Sequence, residues 1–184
     1  MQDIPRELIE KAALGDIEAF EVIYRVTSGF VYNVALRVTG RRESAQDVTQ
    51  EVFIKVYKGL KGFRFGSSFK TWIYRITVNL AINAYNKGKR HENRTVEYDD
   101  AIENMPAAER TEGEIDRPDN EELIKQVLGS LNPDQRACVV LRNMEGLSYE
   151  EIAKTLGVNI NTVRTRLKRA RERILSHFGK RRKE

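Results

Sequence analysis

The sequence predicts an all-α protein: two small helical bundles joined by a flexible acidic linker, the C-terminal one containing a helix-turn-helix. Three observations predict it. Apolar residues recur at helical spacing, and no stretch alternates as a strand would. Glycines and capping residues punctuate that spacing about once per helix length. Charge also falls in blocks. From Lys55 to Arg94 ten residues are Lys or Arg and only Glu92 is acidic. From Glu97 to Glu122 eleven are Asp or Glu, against Arg110 and Arg117. From Arg164 to Glu184 ten are basic and two acidic. Two modules facing nucleic acid across an acidic connector produce this order. The expected boundaries are 1–91, 92–118 and 119–184.

Residues 5–14 form a short amphipathic helix, with Pro5 in its first turn and Gly15 at its end. Asp16 caps a long helix to about Thr39, with Phe20, Ile23, Tyr24, Val31, Val34, Ala35 and Val38 on its inner side. Gly40 stops it. The next helix runs from about Glu43 to Lys61 and buries Ala45, Val48, Val52 and Val56. Its other side shows Asp47, Gln50, Glu51 and Lys55. Gly62 opens a loop, Phe63-Arg64-Phe65-Gly66-Ser67-Ser68. A fourth helix, from about Phe69 to Lys87, carries Phe69, Trp72, Ile73, Ile76 and Leu80 on one stripe.

Residues 91–118 have many acids, two prolines and few large apolar groups, too little to bury, so they read as a linker. The second bundle begins near Asp119 with Leu123, Val127 and Leu128 on one helix. Asn132, Pro133 and Gln135 open the next through a capping box, and Ala137, Val140, Leu141 and Met144 bury it until Gly146.

The helix-turn-helix lies in Leu147–Ile174. Ser148 and Glu151 form a capping box; Ile152, Ala153 and Leu156 give a short helix its apolar stripe. Gly157 permits a left-handed stop, Val158 packs under the turn and Asn159 caps the second helix. Val163, Leu167, Ala170 and Ile174 face inward on it. At about 100° per residue, Arg164, Thr165, Lys168 and Arg169 fall on the outward arc, with Arg166, Arg171 and Arg173 on the flanks. One helix braces while the other presents its N-terminal half to the major groove.

Other features have two readings each. The loop 63–68, beside Lys70, can stack unpaired bases on its aromatics while cations hold the backbone. Asn79 can then hydrogen-bond the edge of an extruded base, and Lys70, Arg75 and Asn79 are candidates for the exposed side of their helix. Alternatively Phe63, Phe69 and Trp72 are core. The face of Asp47, Gln50 and Glu51 is either solvated or a docking surface. Net charge is +5, favouring an anionic partner. The single Cys138 cannot form an internal disulfide, so a reducing cytoplasm is expected. It sits among apolar neighbours as a small core residue. His91 and His177 lack partners at ligand spacing, so no metal or cofactor is expected. There is no membrane-spanning run, no signal-peptide pattern at the N-terminus, and no catalytic motif.

These motifs together closely resemble an extracytoplasmic-function (group 4) sigma factor of bacterial RNA polymerase, over nearly the whole chain. The residues that carry the resemblance are 47–55 (DVTQEVFIK), Phe63-Arg64, 71–79 (TWIYRITVN), Leu131-Asn132-Pro133, 146–153 (GLSYEEIA) and 162–167 (TVRTRL). The resemblance implies that Asp47, Gln50, Glu51 and Phe53 dock on the clamp helices of the polymerase's largest subunit. It implies that Phe63, Arg64, Phe65, Gly66, Ser67 and Ser68, with Asn79, hold a flipped non-template base of the −10 element, while Lys70 and Arg75 on the flanking helix hold the melted strand. Arg164, Thr165, Lys168 and Arg169 would read the −35 element as duplex, with Arg166 beside them. The linker would thread toward the RNA exit channel, and an anti-sigma factor is an expected partner. Asn159-Ile160-Asn161 departs from the proline and glycine of many relatives, so Asn161 is an added candidate contact. The alternative from a different class is an autonomous helix-turn-helix regulator binding duplex operators.

Overall fold

The computed structural model describes residues 4–95 and 118–181, and every described element is helical. Helices α1 (Arg6–Ala13), α2 (Ile17–Thr39) and α3 (Arg42–Gly59) lead through a 3-10 turn (Leu60–Gly62) and a loop to α4 (Phe69–Thr95). The C-terminal half comprises α5 (Pro118–Gly129), α6 (Pro133–Val139), a π-turn (Val140–Met144), α7 (Tyr149–Leu156) and α8 (Ile160–Arg181). The expected linker falls outside the described residues apart from its two ends.

The caps act as their sequence implies. The Asp16 carboxylate accepts the Ala19 amide at 3.0 Å, and Gly40 ends α2 in the left-handed region at φ 73°. Asn132 with Gln135 and Ser148 with Glu151 close both capping boxes. Gly157 ends α7 at φ 65°. One expected stop fails. Helix α4 passes through Gly88 and continues to Thr95. A lone interior glycine costs only about 1 kcal/mol against alanine, too little to stop an established helix.

The N-terminal core gathers Ile23, Val31, Ala35, Val48, Val52, Val56 and Ile73, all but inaccessible to solvent. Gly59 matters here because a Cβ on it would lie 3.0 Å from the Trp72 ring, so glycine lets the indole lie against the α3 backbone. Tyr24 departs from its expected inner position. It is 47% exposed and edges onto the Phe53 ring, with centroids 4.6 Å apart. Leu123 of α5 is likewise 47% exposed, while Leu128 is buried.

The two halves share a core. Val34 of α2 and Tyr74 and Val78 of α4 pack with Ala137, Cys138, Leu141, Leu147, Ile152 and Val163. Helix α4 is therefore buried on two sides: its expected stripe faces the first bundle, and Tyr74 and Val78 face the second. Arg136, only 3% exposed, crosses the same seam. Its guanidinium donates to the carbonyls of Leu128 at 2.7 Å, Val38 at 2.8 Å and Leu131 at 3.2 Å. It also lies 4.8 Å from the centre of the Tyr85 ring.

Replacing Ser148 with alanine should destabilise the protein by about 1 kcal/mol, read as a lower urea midpoint. The capping box has a pH signature too. Hydrogen bonds from the Ser148 backbone and side chain hold the Glu151 carboxyl below the ordinary glutamate range. A lowered folded value stabilises at neutral pH and is lost as pH falls through it. The stability difference between wild type and Glu151→Gln should thus shrink as pH drops from about 4.3 downward, measured by denaturant titration across pH.

Candidate nucleic-acid interface

The turn between α7 and α8 sets the first surface. Gly157 reverses the chain and the Asn159 side chain accepts the Asn161 amide at 2.8 Å. Asn161 then organises the first turn of α8. Its side-chain oxygen accepts from Arg164 at 3.0 Å, and its carbonyl accepts the Thr165 hydroxyl at 2.8 Å. Asn161, Arg164, Thr165, Lys168 and Arg169 are all exposed, while Val163 and Ala170 are buried beneath them. Arg166 differs from its neighbours. It is half-buried and pairs with Asp134 of α6 at 2.9 Å. A groove of about 360 Å³ runs between Asn132, Gln135, Asn161, Thr165 and Arg169 beside that pair. The arrangement is a positively charged ridge whose first turn is ordered by its own side chains and whose flank is braced by one ion pair.

The second surface is the loop before α4. Phe63 is its hub, with ring centroids 4.9 Å from Phe65, 5.6 Å from Phe69 and 5.0 Å from Trp72. Phe69 is buried, Trp72 and Phe63 half-buried. Much of the aromatic surface expected to meet bases therefore meets other rings. Phe65 holds a left-handed backbone at φ 55°, unusual for a bulky residue. The Arg6 guanidinium lies 4.4 Å from its ring centre, tying α1 to the loop. Ser68 caps α4, accepting the Thr71 amide at 3.1 Å. Arg64, Gly66, Arg75 and Asn79 remain exposed, Ser67 half so. Lys70 lies 5.8 Å from the Tyr74 ring centre, and Arg75 donates to the carbonyl of Lys154 in α7 at 3.2 Å.

The third surface lies on α3. Asp47, Gln50 and Glu51 are exposed, and Glu51 pairs with Lys55 at 3.6 Å. Phe53 requires correction as a surface residue: it is 6% exposed and packs on Tyr24, because it turns to the side of Val52 and Val56. Ile54 and Tyr57, 53% and 48% exposed, stand outside instead. Helical spacing from Gln50 places Ile54 and Tyr57 on its side of α3, a signal the charge pattern drew attention away from.

Cys138 is fully buried, and burial pushes its thiol up to about 11, which leaves no thiolate nucleophile at neutral pH. Among the described residues no helix is long and apolar enough to cross a membrane.

Comparison with known proteins converges on one family. Residues 23–91 match Sigma-70 region 2, and residues 121–174 match Sigma-70, region 4. The RNA polymerase sigma-H factor of Pseudomonas aeruginosa is 35% identical over 182 residues, which cover 94% of this chain and 93% of that protein. The ECF RNA polymerase sigma-E factor of Escherichia coli K12 is 38% identical over 182 residues, covering 91% and 90%. Among solved structures, the sigma factor RpoE in complex with the anti-sigma factor NepR from Bartonella quintana is similar at a TM-score of 0.61. That pair shares 26% identity over 85% of this chain and 94% of that one. CnrH, in complex with the cytosolic domain of CnrY, shares the fold at a TM-score of 0.66 and 24% identity, covering 95% and 96%.

A thiol reagent at neutral pH should leave Cys138 of the folded chain unmodified and label it fully in denaturant. Mass spectrometry counts the adducts.

Proposed function

This chain belongs to the extracytoplasmic-function family of RNA polymerase sigma factors, and we propose that it joins core polymerase and reads two promoter elements with its two helical halves. The family acts in transcription initiation and is not enzymatic; the polymerase performs the chemistry. The observation that carries the proposal is the exposed row Arg164, Thr165, Lys168 and Arg169, set on a helix-turn-helix. That row enters the major groove of the −35 duplex. Arginine and lysine suit guanine edges, and Asn161 suits adenine or a phosphate. Arg166, held by Asp134, braces the ridge and approaches a phosphate rather than a base.

Around the −10 element, Phe63 and Phe65 floor a site whose rim is Arg64, Gly66, Ser67 and Ser68. A flipped base rests on that floor and meets Asn79, and Lys70 and Arg75 hold the strand that leaves it. The left-handed Phe65 supports this assignment, since strain of this kind collects at ligand sites. Asp47, Gln50 and Glu51 dock on the clamp helices of the largest subunit, with Ile54 and Tyr57 adding apolar contact. An anti-sigma factor is the second partner, by analogy with the Bartonella protein's complex with NepR. The region 2 match across 23–91 favours this reading over an autonomous regulator.

The test is transcription in vitro. The full chain, added to core polymerase lacking any sigma factor over a library of duplex promoters, should initiate from a subset sharing two separated motifs. Absence of initiation and of core binding, together with tight duplex binding by the chain alone, overturns the reading. Within that assay Arg169→Ala should lower discrimination at one −35 base pair by about 1–3 kcal/mol. Replacing Asp47 and Gln50 together with alanine should weaken core binding while the full chain's affinity for a −35 duplex stays unchanged.

A further inference from the structure

Asn161 stands in the first turn of α8 with most of its polar groups already engaged inside the protein. Its amide N–H donates to the Asn159 side chain at 2.8 Å. Its carbonyl accepts the Thr165 hydroxyl at 2.8 Å. Its side-chain oxygen accepts from the Arg164 guanidinium at 3.0 Å. What is left is the side-chain Nδ2, which can only donate.

The bond to Arg164 restrains a long side chain. A free arginine loses rotamer freedom when it docks on a base, and that loss opposes binding. Arg164 has given up part of that freedom before DNA arrives, and its remaining N–H groups are enough for a two-pronged contact. The restraint also leaves its charge intact. The neighbouring cations of α8 are held differently: Arg166 pairs with Asp134 at 2.9 Å, and Lys168 lies 4.0 Å from Glu172. Among the described residues no carboxylate pairs with Arg164. A neutral oxygen orients the guanidinium without cancelling the charge that draws it to DNA.

The same bond decides what Asn161 itself can touch. Reading adenine takes both ends of the amide, the oxygen accepting from N6 and the nitrogen donating to N7. That oxygen is held by a charged donor, and a hydrogen bond to an ionised partner is roughly twice as strong as a neutral one. The neutral adenine amine loses that competition. The free Nδ2 suits a phosphate instead.

We propose that Asn161 is a positioning residue for Arg164: it presets the guanidinium for O6 and N7 of one guanine and reads no base itself. The proposal rests on the reading in which this row enters the −35 duplex. It narrows that reading, because the first turn of α8 then selects one guanine through two residues acting as a unit.

The test uses the full chain assembled with core polymerase. Its binding is measured over promoter duplexes in which each −35 base pair is varied in turn. Arg164→Ala identifies the pair that this arginine reads, where the preference for guanine should fall by about 5- to 150-fold. Asn161→Ala should lower the preference at that same pair by roughly three- to tenfold, the effect of one lost hydrogen bond, and leave the other pairs unchanged. The double variant should show no less preference than Arg164→Ala alone. Asn161→Asp keeps the accepting oxygen, so it should keep the guanine preference. Its charge offsets that of Arg164, so every duplex should bind more weakly, with a salt dependence shallower by about one phosphate contact. An asparagine that only stabilised the turn would move neither the base preference nor the salt slope. Alanine and aspartate both suit an exposed first helical turn, and circular dichroism checks the fold. If Asn161→Ala flattens a different base pair and its effect adds to that of Arg164→Ala, Asn161 reads a base directly, and the proposal is overturned while the promoter reading stands. An unchanged preference in Asn161→Ala overturns it equally. If Arg164→Ala flattens no −35 position, the assignment of the row to that element fails and the positioning role falls with it.

Discussion

A guanidinium with almost no access to water holds the architecture together. Among the described residues no carboxylate pairs with Arg136; three carbonyls and the face of Tyr85 surround it. A buried cation is tolerated only when its donors are satisfied, and removing partners from such a group costs several kcal/mol. The three carbonyls come from the end of α2, the end of α5 and the turn after α5. The Val38 and Leu128 carbonyls lie in the last turns of their helices, where acceptors lack an intrahelical partner, and the Leu131 carbonyl lies in the turn beyond. One side chain thereby closes two helix ends and the turn after one of them, and ties the second bundle to the first. The apolar seam beside it supplies area; Arg136 supplies registry.

Registry of this kind is what a single sequence conceals. The caps at Asp16, Asn132, Ser148 and the stops at Gly40 and Gly157 were legible because their physics is local: a side chain two or three residues from the amide it accepts, or a glycine free to turn left-handed. The buried stripes of α3 and α8 were legible for a related reason, since period alone separates their faces. Helix α4 was half legible. Its stripe of Phe69, Ile73 and Leu80 announced one packed side; Tyr74, Val78 and Ile82 repeat at helical spacing on a second, but nothing local names what packs there. Nothing local says that Tyr74 meets a glutamate 71 residues away.

The candidate sites divide in the same way. The outward arc of α8 follows from angle alone and stands exposed as expected. Arg166 lies at the edge of that arc, where a few degrees decide between solvent and the neighbouring helix, and Asp134 decided it. Phe53 failed because its identification leaned on resemblance instead of angle; Val52 and Val56 on the same side argued for burial. The loop aromatics were the least legible. Four rings within a few residues can stack on bases or on each other, and composition does not choose. The structure shows a hub at Phe63, with polar groups of the loop left at the rim.

A common constraint runs through these cases. Both surfaces proposed for DNA are strongly basic, so folding them against each other concentrates like charge. The chain fills the seam with neutral or compensated groups. Cys138, Val34 and Val78 carry no charge, Tyr74 stays protonated, and Glu145 meets Arg37. Arg75 crosses from the exposed side of α4 to a backbone carbonyl of α7, which keeps its charge uncancelled, and Lys70 lies beside the Tyr74 ring.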